Sequence, residues 1–362
     1  MRTDNKTIAF YIGSLGRGGA ERVIVNLAQF FVGEEYDVYL VTKEREKTEY
    51  DVPVGVTRIV ADITEQEQGN FRAFNLARRI CKLRRIWREI SPNIIVSFIR
   101  KNNLMAIASS RGMKIPVIVS IRSNPARELQ GKFFKQLSFF MFRFADGIVM
   151  QTTQAKEYLP HSLQHKAVIM PNSIQEKVIN SEVSTVRKKE IVSVGRIDAN
   201  KNQIMLIKAF ETIRDDYPEW SLHLYGDGEM ESDLRSKYEC DSIVFHGSSS
   251  HVIDDIKDSS VFVLTSRQEG MPNALIEAMA LGLACISTNC PCGGPAELIS
   301  DGENGMLIKV DDETALVNRL RLLLADEELR KTLGNNAVNV REKMHPDKVN
   351  AEWKSYIESI MN

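Results

Sequence analysis

Short runs of apolar, β-branched residues alternate along the chain with longer stretches whose apolar positions recur every three or four residues. Such runs predict strands, and the periodic stretches predict helices. In the first half, a strand at residues 7–14 leads through a glycine-rich turn into a helical pattern from residue 20. Further strand-like runs, most of them separated by helical patterns, follow at residues 37–42, 93–99, 116–122, 146–152 and 166–172. This alternation predicts a parallel, doubly wound sheet.

A second series of the same kind begins after a polar stretch. Residues 173–189 carry no clear strand signal and are interpreted as a linker. A strand at 190–197 and a helix at 202–217 follow, and then strands at 220–229, 242–248, 260–266 and 283–289. We therefore predict an α/β fold of two Rossmann-like domains, residues 1–172 and 190–345, facing a central cleft. That cleft is the expected ligand site, because such sheets bind ligands outside the carboxyl ends of their strands.

Composition narrows the class of protein. A length of 362 residues agrees with two domains. The net charge of −1 gives no general preference for nucleic acid or membranes, so such a preference needs a local patch. Five sparse cysteines indicate a reducing compartment, and Cys290 and Cys292 lack a second pair that would complete a zinc site. No signal-peptide core or run of about 18 uncharged apolar residues occurs, which predicts a cytoplasmic protein.

The first glycine-rich turn contains Gly16, Gly18 and Gly19 between a strand and a helix. Glycines there let the backbone approach a phosphate at the helix N-terminus. A dinucleotide fingerprint needs G-x-G-x-x-G, but the sixth position from Gly16 is Glu21, which disfavours a dehydrogenase. A purely structural turn remains an equal alternative.

The second half holds two cations just past a strand, Arg196 and Lys201. Arginine offers two parallel N–H donors and lysine a compact charge, so together they could bind a diphosphate. On charge alone, a solvated turn is the commoner outcome.

Residues 266–277 add a helix start and two carboxylates. Pro272 suits the first helical position, which would leave the following amides unpaired and open to a diphosphate. Glu269 and Glu277 are eight residues apart, about 12 Å in a full helix. Glycosidase carboxylates lie closer together, so this pair suits opposite ends of an extended ligand.

Together these segments resemble the retaining family 4 glycosyltransferases, in the right order over nearly the whole chain. The resemblance rests on five stretches: the E-x7-E pair Glu269 and Glu277, the G-R…K-N loop at 195–202, the turn at 225–229, the segment at 287–298 and the G-G-A-E-R opening at 18–22. It implies a GT-B fold and a UDP-sugar donor.

The resemblance also implies roles for single residues. Arg196 and Lys201 would neutralise the donor diphosphate, Glu277 would bind the ribose and Glu269 would meet the transferred sugar. The remaining phosphate-pocket residues would be Gly16, Gly18, Gly19, Gly270, Asn273 and Ala274. The last helix, residues 346–362, would cross back to the first domain.

No metal and no other cofactor is expected. The chain has no Asp-x-Asp pair, and His161 and His165 lack a third ligand nearby. One departure from the family concerns Arg122, which stands where many members have a histidine. An arginine stays protonated, so it could hold an acceptor phosphate or a donor oxygen; a surface ion pair is the alternative.

Two first-half segments suggest an anionic membrane surface as partner. Residues 71–90 hold seven cations against one acid, and residues 131–144 hold six phenylalanines with three cations. Arg78 and Arg85 could hold the pyrophosphate of a lipid-linked acceptor. Alternatively, the phenylalanines face the core and the arginines are solvated or bind nucleic acid. No RNA-binding signature accompanies them, so nucleic acid is not expected as a partner.

The sequence thus predicts transfer of a hexose or N-acetylhexosamine from a UDP-sugar to a glycan acceptor, polyprenyl-diphosphate-linked, at the cytoplasmic face of the plasma membrane. Capsule, O-antigen or protein-glycan assembly would use such an enzyme. Two alternatives stay open: a nucleotide-sugar epimerase of the same fold, and a non-catalytic nucleotide-sugar-binding protein.

Overall fold

The computed structural model describes residues 6–16, 18–62 and 72–362, with the backbone alone at residue 72. The chain divides into two compact units. The first comprises the described part of Met1–Pro171 together with Val349–Asn362, and the second is Asn172–Lys348.

In the described residues, the first unit contains a parallel sheet of seven strands with the order β3-β2-β1-β4-β5-β6-β7. The strands are β1 Thr7–Ile12, β2 Asp37–Thr42, β3 Val56–Val60, β4 Ile94–Phe98, β5 Val117–Ser120, β6 Gly147–Met150 and β7 Ala167–Ile169. The helices are α1 Gly19–Gly33, α2 Arg72–Ile90, α3 Arg100–Ser110, α4 Pro125–Glu128, α5 Lys132–Phe142, α6 Thr153–Glu157 and α7 His161–Gln164.

The second unit contains a six-stranded parallel sheet with the order β10-β9-β8-β11-β12-β13, all within the described part of the chain. Its strands are β8 Lys188–Val194, β9 Ser221–Tyr225, β10 Ile243–Gly247, β11 Ser259–Leu264, β12 Ala284–Thr288 and β13 Met306–Ile308. Its helices are α8 Glu176–Ile179, α9 Gln203–Ile213, α10 Glu231–Tyr238, α11 Val252–Ile256, α12 Asn273–Ala280, α13 Gly294–Leu298, α14 Glu313–Ala325, α15 Glu327–Ala337 and α16 Val340–Lys343.

The predicted two Rossmann-like α/β domains are confirmed, because both sheets are parallel and doubly wound. In each sheet, strand order reverses between two central neighbours: β1 and β4 in the first, β8 and β11 in the second. Ligands of open α/β sheets bind at the carboxyl ends next to this point. The loops after β8 and β11 hold the predicted cations and the E-x7-E segment, so the topology brings these two motifs together.

Residues 173–189 form part of the second unit rather than a free connection. They include α8 and the start of β8. Ile174 and Val178 are buried in the core of this unit, and Arg187 donates to the carbonyl of Leu281 at 2.8 Å. Ile174 and Val178 were not recognised as core residues because the segment around them is mostly polar. They hold the segment against α12.

The final helix, α17, spans Pro346–Met361. From Val349 onward it belongs to the first unit. There the fully buried Trp353 stacks on Phe98 at the end of β4, with ring centroids 5.9 Å apart. A helix placed at the far end of the sequence therefore completes the core of the first sheet.

Candidate functional site

The loop after β8 is held in one conformation by its own side chains. Asp198 Oδ1 accepts hydrogen bonds from the amides of Asn200 and Lys201, at 3.0 and 2.8 Å. Thr265, at the end of β11, donates through Oγ1 to the carbonyl of Lys201 at 2.8 Å. The amide and the carbonyl of Lys201 are both hydrogen-bonded, so the backbone from which its side chain extends is held in place.

A glycine turn packs against the same loop from the end of β9. Gly226 has a φ of 135°, and a Cβ there would overlap the carbonyl oxygen of Gly195. Gly228 meets the carbonyl of Ile197 in the same way. Only glycine permits this approach, which explains why the G-D-G turn follows β9.

Lys201 and Glu269 form an ion pair that joins the two loops. Lys201 Nζ lies 2.6 Å from Glu269 Oε1, and 22% and 12% of the two side chains are exposed. Ser266 Oγ donates to the same oxygen at 2.5 Å. Two predicted site residues, 68 positions apart, are therefore in direct contact. An anion that binds Lys201 would therefore share the lysine with the Glu269 carboxylate.

The backbone of Glu269 is fixed by the loop after β12. Its amide donates to the carbonyl of Pro291 at 2.8 Å, and its carbonyl accepts from the amide of Cys292 at 2.9 Å. Burial raises the pKa of the neighbouring Cys290 to about 12, and the charge of Glu269 adds to this. The thiol is therefore neutral near pH 7 and does not compete with Glu269 for the lysine.

Helix α12 begins at Asn273, one residue later than the predicted start, and extended Pro272 is its N-cap. The first helical bond runs from the amide of Ile276 to the carbonyl of Pro272, at 3.1 Å. The amides of Asn273 and Ala274 precede that bond and carry the positive end of the helix dipole. Gly270 lies against Gly294, where a Cβ would overlap the carbonyl oxygen of Gly270.

Glu277 lies one turn further along α12 and is buried, with 6% exposed. Gln175 Nε2 donates to its Oε1 at 2.7 Å. Gln175 was not among the residues predicted from the sequence, because nothing in its surroundings indicates a partner 102 positions away.

Arg196 differs from Lys201. Its side chain is exposed and makes no hydrogen bond or ion pair with any residue that the structure describes. Nearby, Asp311 accepts from Arg267 Nε at 2.9 Å and from Asn202 Nδ2 at 3.0 Å. Arg267 Nη1 also donates to the carbonyl of Ala199. Asp311, which the sequence did not indicate, thus joins the loops after β8 and β11.

In the first unit, the glycine turn after β1 is flanked by acids. The nearest atoms to Cβ positions built on Gly16 and Gly18 are the carboxylates of Glu46 and Glu21. Burial raises the pKa of Glu21, and the charge of Glu46 adds to it. These carboxylates oppose an anion on that face of the turn. Phosphate binding by Gly16, Gly18 and Gly19 stays a prediction; Arg17 lies outside the described residues.

Arg122 is buried, with 9% exposed, so the alternative of a surface ion pair is wrong. Its guanidinium lies over the ring of Phe98, 5.2 Å from the centroid. Burial lowers its pKa to about 9, against an opposing effect of Glu128. Arg122 is therefore still a cation at neutral pH, held at the carboxyl end of β5.

The two membrane-type segments form α2 and α5 of the first unit, and both helices pack on α3. Of the six phenylalanines around α5, all of them described, Phe139 and Phe142 are buried. The other four are exposed: Phe133 73%, Phe134 54%, Phe140 53% and Phe144 37%. A core role for all six is therefore wrong. On α2, Arg78 and Arg85 are exposed, with Arg78 over the ring of Phe74.

Within the described part of the chain, no cluster of three or more histidine, cysteine or acidic side chains could hold a metal ion. No described helix is both long and apolar enough to cross a bilayer.

Comparison with known proteins identifies the family. Two family profiles match in succession: Glycosyltransferase Family 4 over residues 17–177 and Glycosyl transferases group 1 over residues 174–340. The chain is similar to a Campylobacter jejuni GalNAc-α-(1→4)-GalNAc-α-(1→3)-diNAcBac-PP-undecaprenol α-1,4-N-acetyl-D-galactosaminyltransferase, at 29% identity over 98% of this chain and 99% of the relative.

It is also similar to an Escherichia coli UDP-Gal:α-D-GlcNAc-diphosphoundecaprenol α-1,3-galactosyltransferase, at 23% identity over 89% of this chain and 88% of the relative. Among solved structures, Anabaena HepE in complex with UDP-glucose superposes with a TM-score of 0.82, at 16% identity and over 98% of this chain and 99% of that one. The profiles, the two parallel sheets and the ordered motifs agree. The chain belongs to glycosyltransferase family 4 and is a glycosyltransferase of the GT-B fold.

Proposed function

We propose that the protein transfers a hexose or N-acetylhexosamine from a UDP-sugar to a polyprenyl-diphosphate-linked glycan, with retention of the anomeric configuration. The observation that carries this proposal is the Lys201–Glu269 pair beside the N-terminus of α12, at the carboxyl ends of β8 and β11. The names of the Campylobacter and E. coli relatives, which specify undecaprenol-diphosphate acceptors, support the acceptor class. UDP-glucose in the HepE complex supports the donor.

The proposed chemistry is charge stabilisation of a leaving group. Lys201, Arg196 and the amides of Asn273 and Ala274 bind the diphosphate as the bond from the anomeric carbon to its oxygen breaks. The acceptor hydroxyl attacks from the same face, and its proton passes to the departing phosphate oxygen. Glu269 holds the sugar, and the protein supplies no covalent nucleophile. The protein groups, without a metal, carry the charge of the diphosphate.

The decisive assay is a donor screen. Radiolabelled UDP-sugars are incubated with the protein and a bacterial lipid extract, and label in the organic phase is counted. We expect one UDP-sugar to label lipid, equally with and without EDTA, and NMR of the product to show the donor's anomeric configuration. A converted sugar nucleotide without acceptor would indicate the epimerase. UDP binding without any turnover would indicate the non-catalytic protein.

The location we propose is the cytoplasmic face of the membrane, with the α2–α3–α5 surface against anionic lipid. Helix α2 contains seven cationic residues, and α3 and α5 contain two each. The single acidic residue of the three helices is Glu89. Arg100 and Arg111 lie over the rings of Phe134 and Phe144, at 5.7 and 4.3 Å. Exposed aromatic rings beside cations suit an anionic headgroup region.

Vesicle flotation tests this location. We expect the protein to float with vesicles containing phosphatidylglycerol and not with pure phosphatidylcholine. The double variant Phe133→Ser/Phe140→Ser should lose most binding while its melting temperature stays unchanged, because both rings are exposed. The control Val186→Ser changes an apolar side chain that is 79% exposed in the second unit. Equal flotation of wild type and double variant would contradict the proposal.

A further inference from the structure

The segment by which the chain enters the second unit is hydrogen-bonded to helix α12. This unit begins at Asn172. Asn172 Nδ2 donates to Asn273 Oδ1 at 2.7 Å and to the carbonyl of Met271 at 3.1 Å. One turn further along α12, Glu277 Oε1 accepts a hydrogen bond from Gln175 Nε2 at 2.7 Å. Both ends of the donor-binding part of α12 are thus in contact with residues of the entering segment.

We propose that Gln175 is a positioning residue, which orients the carboxylate of Glu277 toward the donor ribose. The proposal rests on the proposed function, in which Glu277 binds that ribose. Its substance is that the donor site includes the entering segment, residues 172–175, and not only the loops after β8 and β11.

The local structure argues that this bond is specific. Gln175 is the N-cap residue of α8, yet its side chain makes no cap hydrogen bond. It is directed to Glu277 instead. Its backbone is anchored on either side, because Ile174 is buried and donates to the carbonyl of Met344 at 2.9 Å, and Val178 is fully buried. The side-chain amide of Gln175 therefore extends to Glu277 from a backbone that is held in place.

The chemistry of the side chain fits the role. An amide N–H bonded to a buried carboxylate is a charge-assisted hydrogen bond, which fixes the rotamer of the carboxylate. It does so without adding a positive charge, so the carboxylate keeps its full charge for accepting bonds from ribose hydroxyls. A lysine or arginine at position 175 would neutralise it, and a glutamate would repel it.

The test uses the near-isosteric variant Gln175→Glu, with UDP and 2′,3′-dideoxy-UDP as probes in calorimetric titrations. At pH 8 two carboxylates would lie at hydrogen-bond distance and repel each other. We expect the affinity for UDP to fall about tenfold, while the affinity for dideoxy-UDP, which lacks the hydroxyls, changes less than twofold. As the pH falls the pair can share a proton, so the difference in UDP affinity between the variant and the wild type at the same pH should narrow. The donor KM should follow the affinity, and kcat should stay within twofold.

Two further variants separate positioning from folding. Gln175→Met removes the hydrogen bond without adding charge, so it should lower UDP affinity about threefold at every pH. Gln154→Glu makes the same charge change at an exposed position of α6 and should alter neither ligand. If Gln175→Glu binds both ligands like the wild type, or loses both equally, the inference is wrong although UDP-sugar transfer stands. If the wild type itself binds UDP and dideoxy-UDP alike, the ribose assignment of Glu277 fails, and the inference fails with it.

Discussion

Replacing Glu269 should strengthen UDP binding, whereas replacing Lys201 should weaken it. A diphosphate oxygen that takes Lys201 as its partner would lie roughly 5 Å from the Glu269 carboxylate. At an effective dielectric constant of about 40, that repulsion amounts to about 2 kcal/mol, and physiological salt screens it to about 1 kcal/mol. Glu269→Gln should therefore tighten UDP binding about fivefold. Lys201→Met removes an attraction of similar or greater size and should weaken binding about tenfold or more.

Transfer should fall at least tenfold in both variants, because one loses the contact with the sugar and the other loses stabilisation of the leaving group. Calorimetry with UDP and the radiolabelled lipid assay measure the two quantities separately. Lys189→Met serves as the matched control, since Lys189 forms an exposed ion pair with Glu219 in the same unit. If Glu269→Gln weakens UDP binding as much as Lys201→Met does, or if both variants transfer sugar at near-normal rates, the diphosphate does not bind at the Lys201–Glu269 pair as proposed.

Three other predictions concern the support of the site. Gly226→Ala should lower the melting temperature by about 4 °C or more, because its Cβ would overlap the carbonyl of Gly195; scanning calorimetry should show no such loss for Gly33→Ala, whose Cβ has open space. Asp311→Ala should raise the donor KM about three- to tenfold with kcat within twofold, whereas the exposed Asp301→Ala should not. Arg58 holds the pKa of Glu49 at about 2, below its ordinary 4.5, so the pair stabilises the fold above pH 4.5 and this contribution is lost as pH falls toward 2. The difference in urea midpoint between wild type and Glu49→Gln should accordingly shrink over that range; a constant difference would contradict it.

Much of the fold could be predicted because buried parallel strands are continuous apolar runs. β4 and β12 are buried at every position, and both were expected from the sequence. β3 was not, because it lies at the sheet edge and none of its residues is fully buried. β13 has only three residues, which is too short for a periodic signal.

For the site, the sequence indicated those residues that belong to short local motifs. Lys201, Glu269 and the start of α12 were found in this way. Gln175 and Asp311 were missed, since the partners Glu277 and Asn202 lie 102 and 109 positions away. The burial of Arg122 depends on Phe98, which in turn stacks on Trp353 of α17. Such long-range packing leaves no local pattern in the sequence.

We propose that the cations and helix amides at the carboxyl ends of β8 and β11 neutralise a departing nucleoside diphosphate. A crystal structure of the protein soaked with UDP tests this most directly. We expect diphosphate oxygens within hydrogen-bond distance of Lys201 Nζ and of the amides of Asn273 and Ala274, with the ribose at Glu277. UDP bound at full occupancy elsewhere in the protein, with these groups untouched, would contradict it.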